Sequence, residues 1–247
     1  MPEVLIVIDA ETEPAEFLLP AVFALDSMIS AFQQAIASTS ASPHSSAPTV
    51  RVITTDSLDT ISASDVLLCP FTLNLPATLS FPAQQIYRVC RDIVTLRQRV
   101  EGMGYATGAG NFWLPVVLTS KGPLYAEVIG LTEELPAPKP STVSPSSSFP
   151  YCQPVHLSDA WRQQLYKLAG NLLRSLDAPP ATYLMQFGFQ EGAICFDRLW
   201  PFPAAPALAS LSVQEPNLFT CHWYCLAGQP ILDVTISGSS ASYLHFE

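Results

Sequence analysis

Asp197 and Arg198 stand side by side at the end of a predicted return strand, in a chain where only 13% of residues are charged. The loop Trp200-Pro201-Phe202-Pro203 follows at once. An acid and a base in that place could hold or read a ligand, or pair with each other. An exposed pair on a rim would contribute under about 1 kcal/mol. Trp200 and Phe202, spaced by proline, could form an aromatic lip for a partner or a planar ligand, or could pack inward as core. Two further groupings invite chemistry. Cys221-His222-x-x-Cys225 puts two thiols at i and i+4 on one helix face, with His222 turned away and no fourth ligand nearby. Zinc sites need three or four protein ligands, so buried thiols are the expectation and no metal site is assigned. Cys152 and His156 could form a nucleophile pair on paper, yet nothing near them supplies an orienting group or oxyanion donors.

The elements that must position these residues follow from hydrophobic periodicity. Val4 to Ile8 is a continuous apolar run, the pattern of a strand covered on both faces. A helix is expected from Phe17 to Ala37, then short strands at Val50–Thr54 and Val66–Cys69. Strand, helix, strand, strand makes a small Rossmann-like α/β unit. No glycine-rich fingerprint follows its first strand, which argues against dinucleotide binding there. Gln84 to Glu101 reads as one helix, apolar on one face. Its opposite side holds Arg88, Arg91, Arg97 and Arg99, either a solvated face or a patch for an anion or partner. After the glycine-rich Gly102–Gly110, a hairpin is expected from Phe112–Leu118 and Leu124–Gly130. A helix capped by Ser158 runs to Leu176. A second hairpin, Tyr183–Phe189 with Ala193–Leu199, delivers Asp197 and Arg198. A short helix around Pro216–Ala227 and a strand near Ile231–Ile236 close the chain. Ser38–Thr49 and Pro136–Ser148 read as low-complexity loops, and Ser146–Ser148 could be phosphorylated.

The totals narrow the partners. The 247 residues carry a formal net charge of -10, which argues against nucleic acid or an anionic membrane as the main partner. Lysine occurs only at Lys121, Lys139 and Lys167. No basic leader and no apolar stretch of membrane-spanning length is evident. Six cysteines in apolar contexts fit free thiols in a reducing compartment, so a cytoplasmic protein is expected.

A resemblance adds to this reading. The order "LYKLAGNLLRSLDAPPATYLMQFGF", a hairpin whose return strand ends in an acid, a proline-rich bend, "EPNLFTCHWYCLAGQPI" and a closing strand resembles the C-terminal half of the ATP-grasp fold. It resembles in particular carboxyaminoimidazole ribonucleotide synthetase and its relatives. "IYRVCRDIVTLRQRVEGMGYATG" is similar to the helix that links that family's N-terminal domain to its ATP-binding lobes. The resemblance implies a Rossmann-like unit over residues 1–80 and a truncated ATP-grasp-like α+β domain with a mixed sheet over 81–247.

That family forms acyl phosphates with magnesium and cations over the phosphates. By the resemblance, its first metal carboxylate falls at or near Gln186, a neutral amide. The second falls at Asp197, flanked by Phe196 and Arg198 where the family has an acid and an amide. The stretch before Glu127 is too short for a complete lid, leaving Lys121 as its one candidate lysine. Two functional expectations result. The first is a non-catalytic binding or scaffold protein with no cofactor. Its ligand contacts would come from Lys121, Glu127, Gln186, Asp197 and Arg198. Partner contacts would come from the arginine face and the Trp200–Phe202 lip, for a protein or small molecule. The alternative is a reduced ATP- and magnesium-dependent carboxylate–amine ligase, with Lys121, Glu127 and Asp197 serving nucleotide and metal. A small α/β protein of unrelated ancestry is a third possibility.

Overall fold

The computed structural model describes residues 3–9, 21–39, 48–60, 66–132, 150–236 and 244–246. Ser146–Ser148, the start of the first predicted helix and most of the Ser38–Thr49 loop lie outside the described residues. Glu3–Ile8 (β1), Val50–Thr54 (β2) and Val66–Pro70 (β3) form a parallel sheet in the order β2-β1-β3. Val4 to Val7 are fully buried, as their unbroken apolar run requires. Helix α1 (Ala21–Thr39) lays Met28, Phe32 and Ile36 into the core.

The single helix expected over 84–101 is two helices, α2 (Gln84–Arg91) and α3 (Ile93–Gly102). Asp92 breaks it: its carboxylate accepts from the Thr95 backbone N–H (3.1 Å) and hydroxyl (2.7 Å), capping α3. An Asp side chain that competes for nearby backbone donors favours a helix start over a helix interior. The break matters for function because it re-aims the arginines that follow.

The remaining strands are Ala106–Thr107 (β4), Phe112–Thr119 (β5), Gly122–Tyr125 (β6), Val128–Leu131 (β7), Tyr151–Leu157 (β8), Ala181–Gln190 (β9), Ala193–Trp200 (β10), Gln214–Glu215 (β11), Thr235–Ile236 (β12) and Leu244–Phe246 (β13). Among the described residues β13-β8-β7-β5-β9-β10-β4 is one mixed sheet, with β6 paired to the far half of β5. The return strand expected at Leu124–Gly130 is two pieces, β6 and β7. Between them the Ala126 N–H reaches back to the carbonyl of Pro115. Strand β8 is an addition to the expected elements, and it carries Pro154 in its middle, a residue disfavoured in a paired strand. Helix α4 (Asp159–Ser175) is capped by Ser158, as its sequence indicates. Its Leu165, Leu168, Leu172 and Leu173 are buried.

Helix α5 (Leu218–Leu226) packs against α1 through Phe32, which meets Trp223 edge-on at 6.2 Å. The closing strand is shorter than expected, only β12, and Leu232 stands 88% exposed. The fold is therefore mixed α/β: among the described residues a parallel sheet, a largely antiparallel sheet and a two-stranded β11–β12 ribbon, with a continuous apolar core.

Candidate functional site

The β9–β10 hairpin carries the residues singled out by sequence. Its ladder slips between Phe196 and Arg198, so Asp197 is a bulged extra residue, while Gln186 and Arg198 face each other across the strands. A bulge re-aims its side chain, and here the Asp197 carboxylate turns into protein. It is 4% exposed. Oδ1 accepts from Arg97 Nη2 at 2.6 Å, and Oδ2 accepts from the Gly110 N–H at 3.1 Å. Arg97 also donates through Nε to the Asp197 carbonyl (3.0 Å) and through Nη2 to the Gly108 carbonyl (3.2 Å). Asp197 is thus no rim salt bridge, and its main partner is Arg97, one hundred residues earlier. Arg198 Nε lies 3.5 Å from Asp197 Oδ1 without forming a hydrogen bond, and its guanidinium sits 5.6 Å from the centre of the Trp200 ring.

Gln186 is equally committed. Its Nε2 donates to the Gly110 carbonyl at 2.6 Å, and its Oε1 accepts from Trp200 Nε1 at 3.2 Å. Together Asp197 and Gln186 hold both backbone groups of Gly110. The segment can come that close only because Gly110, and Gly188 opposite it, lack side chains. A Cβ on Gly110 would lie 2.0 Å from the Phe187 carbonyl carbon, and one on Gly188 would lie 2.7 Å from the Ala109 oxygen. The glycine-rich segment is a clamp seat.

The other candidates do not join this cluster. Lys121 sits exposed in the β5–β6 turn, beyond the far end of β5 from Gly110, and β5 alone spans roughly 25 Å at strand rise. Glu127 lies between β6 and β7 with its carboxylate 3.6 Å from His156 Nδ1. Phe202 is 2% exposed, stacked on Phe71 and Tyr87, so the expected aromatic lip is core at that residue and only Trp200 is half-buried.

The arginine face is likewise divided. Arg97 points into the hairpin. Arg99 donates to the Ser175 carbonyl at the end of α4, where a helix C-terminus attracts cations. Arg88 donates to the Ala77 carbonyl at 2.6 Å. Arg91 remains exposed.

The cysteine groupings behave as packed thiols. Cys221 and Cys225 donate to the carbonyls of Pro216 and Leu118, and burial pushes both thiols up, Cys225 to about 12. Burial pushes the Cys152 thiol up to about 11, and it donates to the Gly130 carbonyl while His156 turns to Glu127. Among the described residues no three His, Cys, Asp or Glu side chains gather as a metal site.

Sequence reasoning missed Arg97 as the partner of Asp197. The readable signal is Asp92-x-x-Thr95, a cap inside an apparent helix, which implies that the arginines before and after it face different ways.

No family model matches the chain, and no curated protein matches it in sequence. Solved structures do match in shape. N5-carboxyaminoimidazole ribonucleotide synthetase from Thermotoga maritima aligns at a TM-score of 0.63 and 8% identity, over 94% of this chain and 78% of that one. The enzyme from Thermus thermophilus gives 0.62 at 11% identity, over 95% and 81%. An L-amino acid ligase from Bacillus licheniformis gives 0.57 at 9% identity, over 91% and 74%. The chain has a shortened ATP-grasp-like fold, and the synthetases of this group share the order of elements that its sequence resembles. No helix among the described residues is long and apolar enough to cross a membrane.

The family that the sequence resembles uses magnesium and ATP, and the residues at the corresponding positions here do not fit the metal. Gln186 is neutral and bonded at both ends, and both Asp197 oxygens are taken. Two guanidinium groups face one carboxylate there. Both positive charges would oppose a divalent ion at that carboxylate.

Proposed function

We propose that this chain is a binding protein on a shortened ATP-grasp-like framework, in which the family's metal positions serve structure. One observation carries the reading. The two side chains that the resemblance places at the metal, Gln186 and Asp197, are spent on clamping Gly110 and Arg97 to the hairpin. Acyl-phosphate chemistry needs a metal and cations converging on phosphates, whereas Lys121 lies at the opposite end of β5. The partner of such a protein would be a small molecule or another protein.

The second reading is an ATP-dependent ligase of reduced form. The structural neighbours named as synthetases and ligases favour it, and they offer nothing for a non-catalytic role. At 8 to 11% identity they speak for fold, so the local geometry is given the greater weight.

A thermal-shift titration with ATP, with and without magnesium, separates the two. A ligand at a hundredfold excess over its dissociation constant adds about 2.7 kcal/mol of stability. For a chain of this size that raises the melting temperature by roughly 5–10 °C. We expect no magnesium-dependent rise at millimolar nucleotide. A rise would overturn the binding-protein reading in favour of the ligase.

A further inference from the structure

A cavity of about 240 Å³ lies between the carboxyl end of β3, the start of α2, the start of β9 and helix α5. It shares no side chain with the Gly110 clamp, and its case does not depend on which reading above is right. Its wall is made chiefly of proline and aliphatic groups, including Pro179, Pro201 and Leu226. None of its described lining residues is Asp, Glu, Lys or Arg. A charged ligand such as a nucleotide phosphate would lose its hydration there with nothing to replace it.

Three polar rings border the space, and their hydrogen bonds are unequal. Tyr87 donates its hydroxyl proton to the Pro70 carbonyl at 2.9 Å, and Tyr183 donates to the Pro179 carbonyl at 2.6 Å. Both donors are spent. His222 is 2% exposed, and its Nδ1 accepts the backbone N–H of Thr182 at 3.1 Å. A ring nitrogen that accepts a backbone proton carries none itself, so the proton of the neutral ring is on Nε2. His222 lines the cavity, and the one hydrogen bond its ring makes to the described residues is the one at Nδ1, which leaves Nε2–H available to a ligand.

We propose that this cavity binds a small neutral molecule of one or two rings bearing a single acceptor, such as an aryl ketone or lactone, whose oxygen takes the Nε2–H of His222. Size agrees with the class: an apolar protein cavity of about 150 Å³ holds benzene, and this one is larger. Position agrees too, since ligands of open α/β sheets bind outside the carboxyl ends of strands.

The test titrates the whole chain, labelled with ¹⁵N, with acetophenone, ethylbenzene and benzoate, three probes of one shape that differ in the acceptor and its charge. Acetophenone should shift the amide signals of Thr182 and Tyr183 and the His222 ring signal, saturating in the micromolar to millimolar range. It should bind several-fold tighter than ethylbenzene, and benzoate weakest. Ala83→Leu, which places bulk into the cavity from a half-buried position, should remove binding of both neutral probes. His222→Phe should bring acetophenone and ethylbenzene to equal affinity. If that variant does not fold, the wild-type order of the three probes and the Ala83→Leu result still decide. Absence of saturable shifts at these residues, tighter binding of benzoate, or binding unchanged in Ala83→Leu would each overturn the proposal.

Discussion

Replacing Asp197 distinguishes a clamp from a metal ligand by its effect on stability. In Asp197→Ala the Gly110 N–H keeps no acceptor, and Arg97 keeps only its bonds to the carbonyls of Asp197 and Gly108. Removing one partner of a buried ion pair costs about 3–5 kcal/mol. Arg97 is one-third exposed, and solvent softens its loss, so the lower end, about 3 kcal/mol, is the expectation. The buried and unpaired Gly110 N–H would account for about 1–3 kcal/mol of that. Asp197→Asn keeps one acceptor and turns its NH₂ towards one of the two donors, for a cost of about 2 kcal/mol. Against a typical total of about 5–15 kcal/mol these are large fractions. Urea unfolding followed by tryptophan fluorescence measures both, with an unchanged m-value as the check for an intact native state. A metal ligand behaves in the opposite way, because removing a carboxylate that repels its neighbours in the metal-free protein stabilises or leaves stability alone. Both variants within about 0.5 kcal/mol of wild type, the range of an ordinary surface substitution, would refute the clamp.

Other expectations follow from neighbouring geometry. Gly110→Ala should express poorly or unfold with little denaturant, because the added Cβ would overlap Phe187 backbone that cannot rotate away; Gly122→Ala, with open space but a φ of 130°, serves as the strained but unclashing control. Gln186→Glu should destabilise by about 1–3 kcal/mol, since a carboxylate oxygen would face the Gly110 carbonyl in place of a donor; any magnesium-dependent stabilisation of that variant would count against the clamp. Burial lowers His222 from 6.5 to about 3, so between those pH values the unfolded chain takes up a proton that the folded chain refuses. Stability is therefore lost as pH falls from about 6.5 towards 3, by about 2–3 kcal/mol at pH 4.5 and about 5 kcal/mol at the lower limit. Unfolding curves of wild type and His222→Gln at pH 7 and 4.5 check this, and equal pH slopes would refute it. Cys152, half-buried and with its thiol raised to about 11, should react with iodoacetamide at about pH 7.5 far more slowly than free cysteine.

Period and turn chemistry made most of the elements legible. The run Val4–Ile8, the Ser158 cap and the hairpin of Tyr183–Phe189 with Ala193–Leu199 each carry a local rule that the long-range structure obeys. The resemblance, carried by element order, pointed to the fold that the structural neighbours share. What stayed hidden was long-range. Strand β8 contradicts its own local signal at Pro154. The helix break at Asp92 looks like one polar residue on a solvated face until Thr95 is considered with it. Phe202 between two prolines reads equally as lip or core, and the choice depends on Tyr87 and Phe71 arriving from distant segments. Nothing local in the sequence links Arg97 to Asp197.

The bulge at Asp197 joins these observations physically. A regular β10 would alternate Phe196 inward, Asp197 outward and Arg198 inward, putting a guanidinium into the core. The extra residue shifts the register so that Arg198 sits across from Gln186 and leans on Trp200, while Asp197 reaches Gly110. That arrangement needs a cation from outside the hairpin to balance the buried carboxylate, and Arg97 provides it from α3, the helix that Asp92 starts. The break at Asp92, Gly110 and the bulge therefore meet in one arrangement. Uncoupled, each would be a local defect; coupled, they join α3 to the sheet. A double-mutant cycle between Arg97→Ala and Asp197→Ala should accordingly show an interaction energy of at least about 1 kcal/mol. Strict additivity would mean that the two residues hold separate structures and that the hairpin is free to serve another purpose.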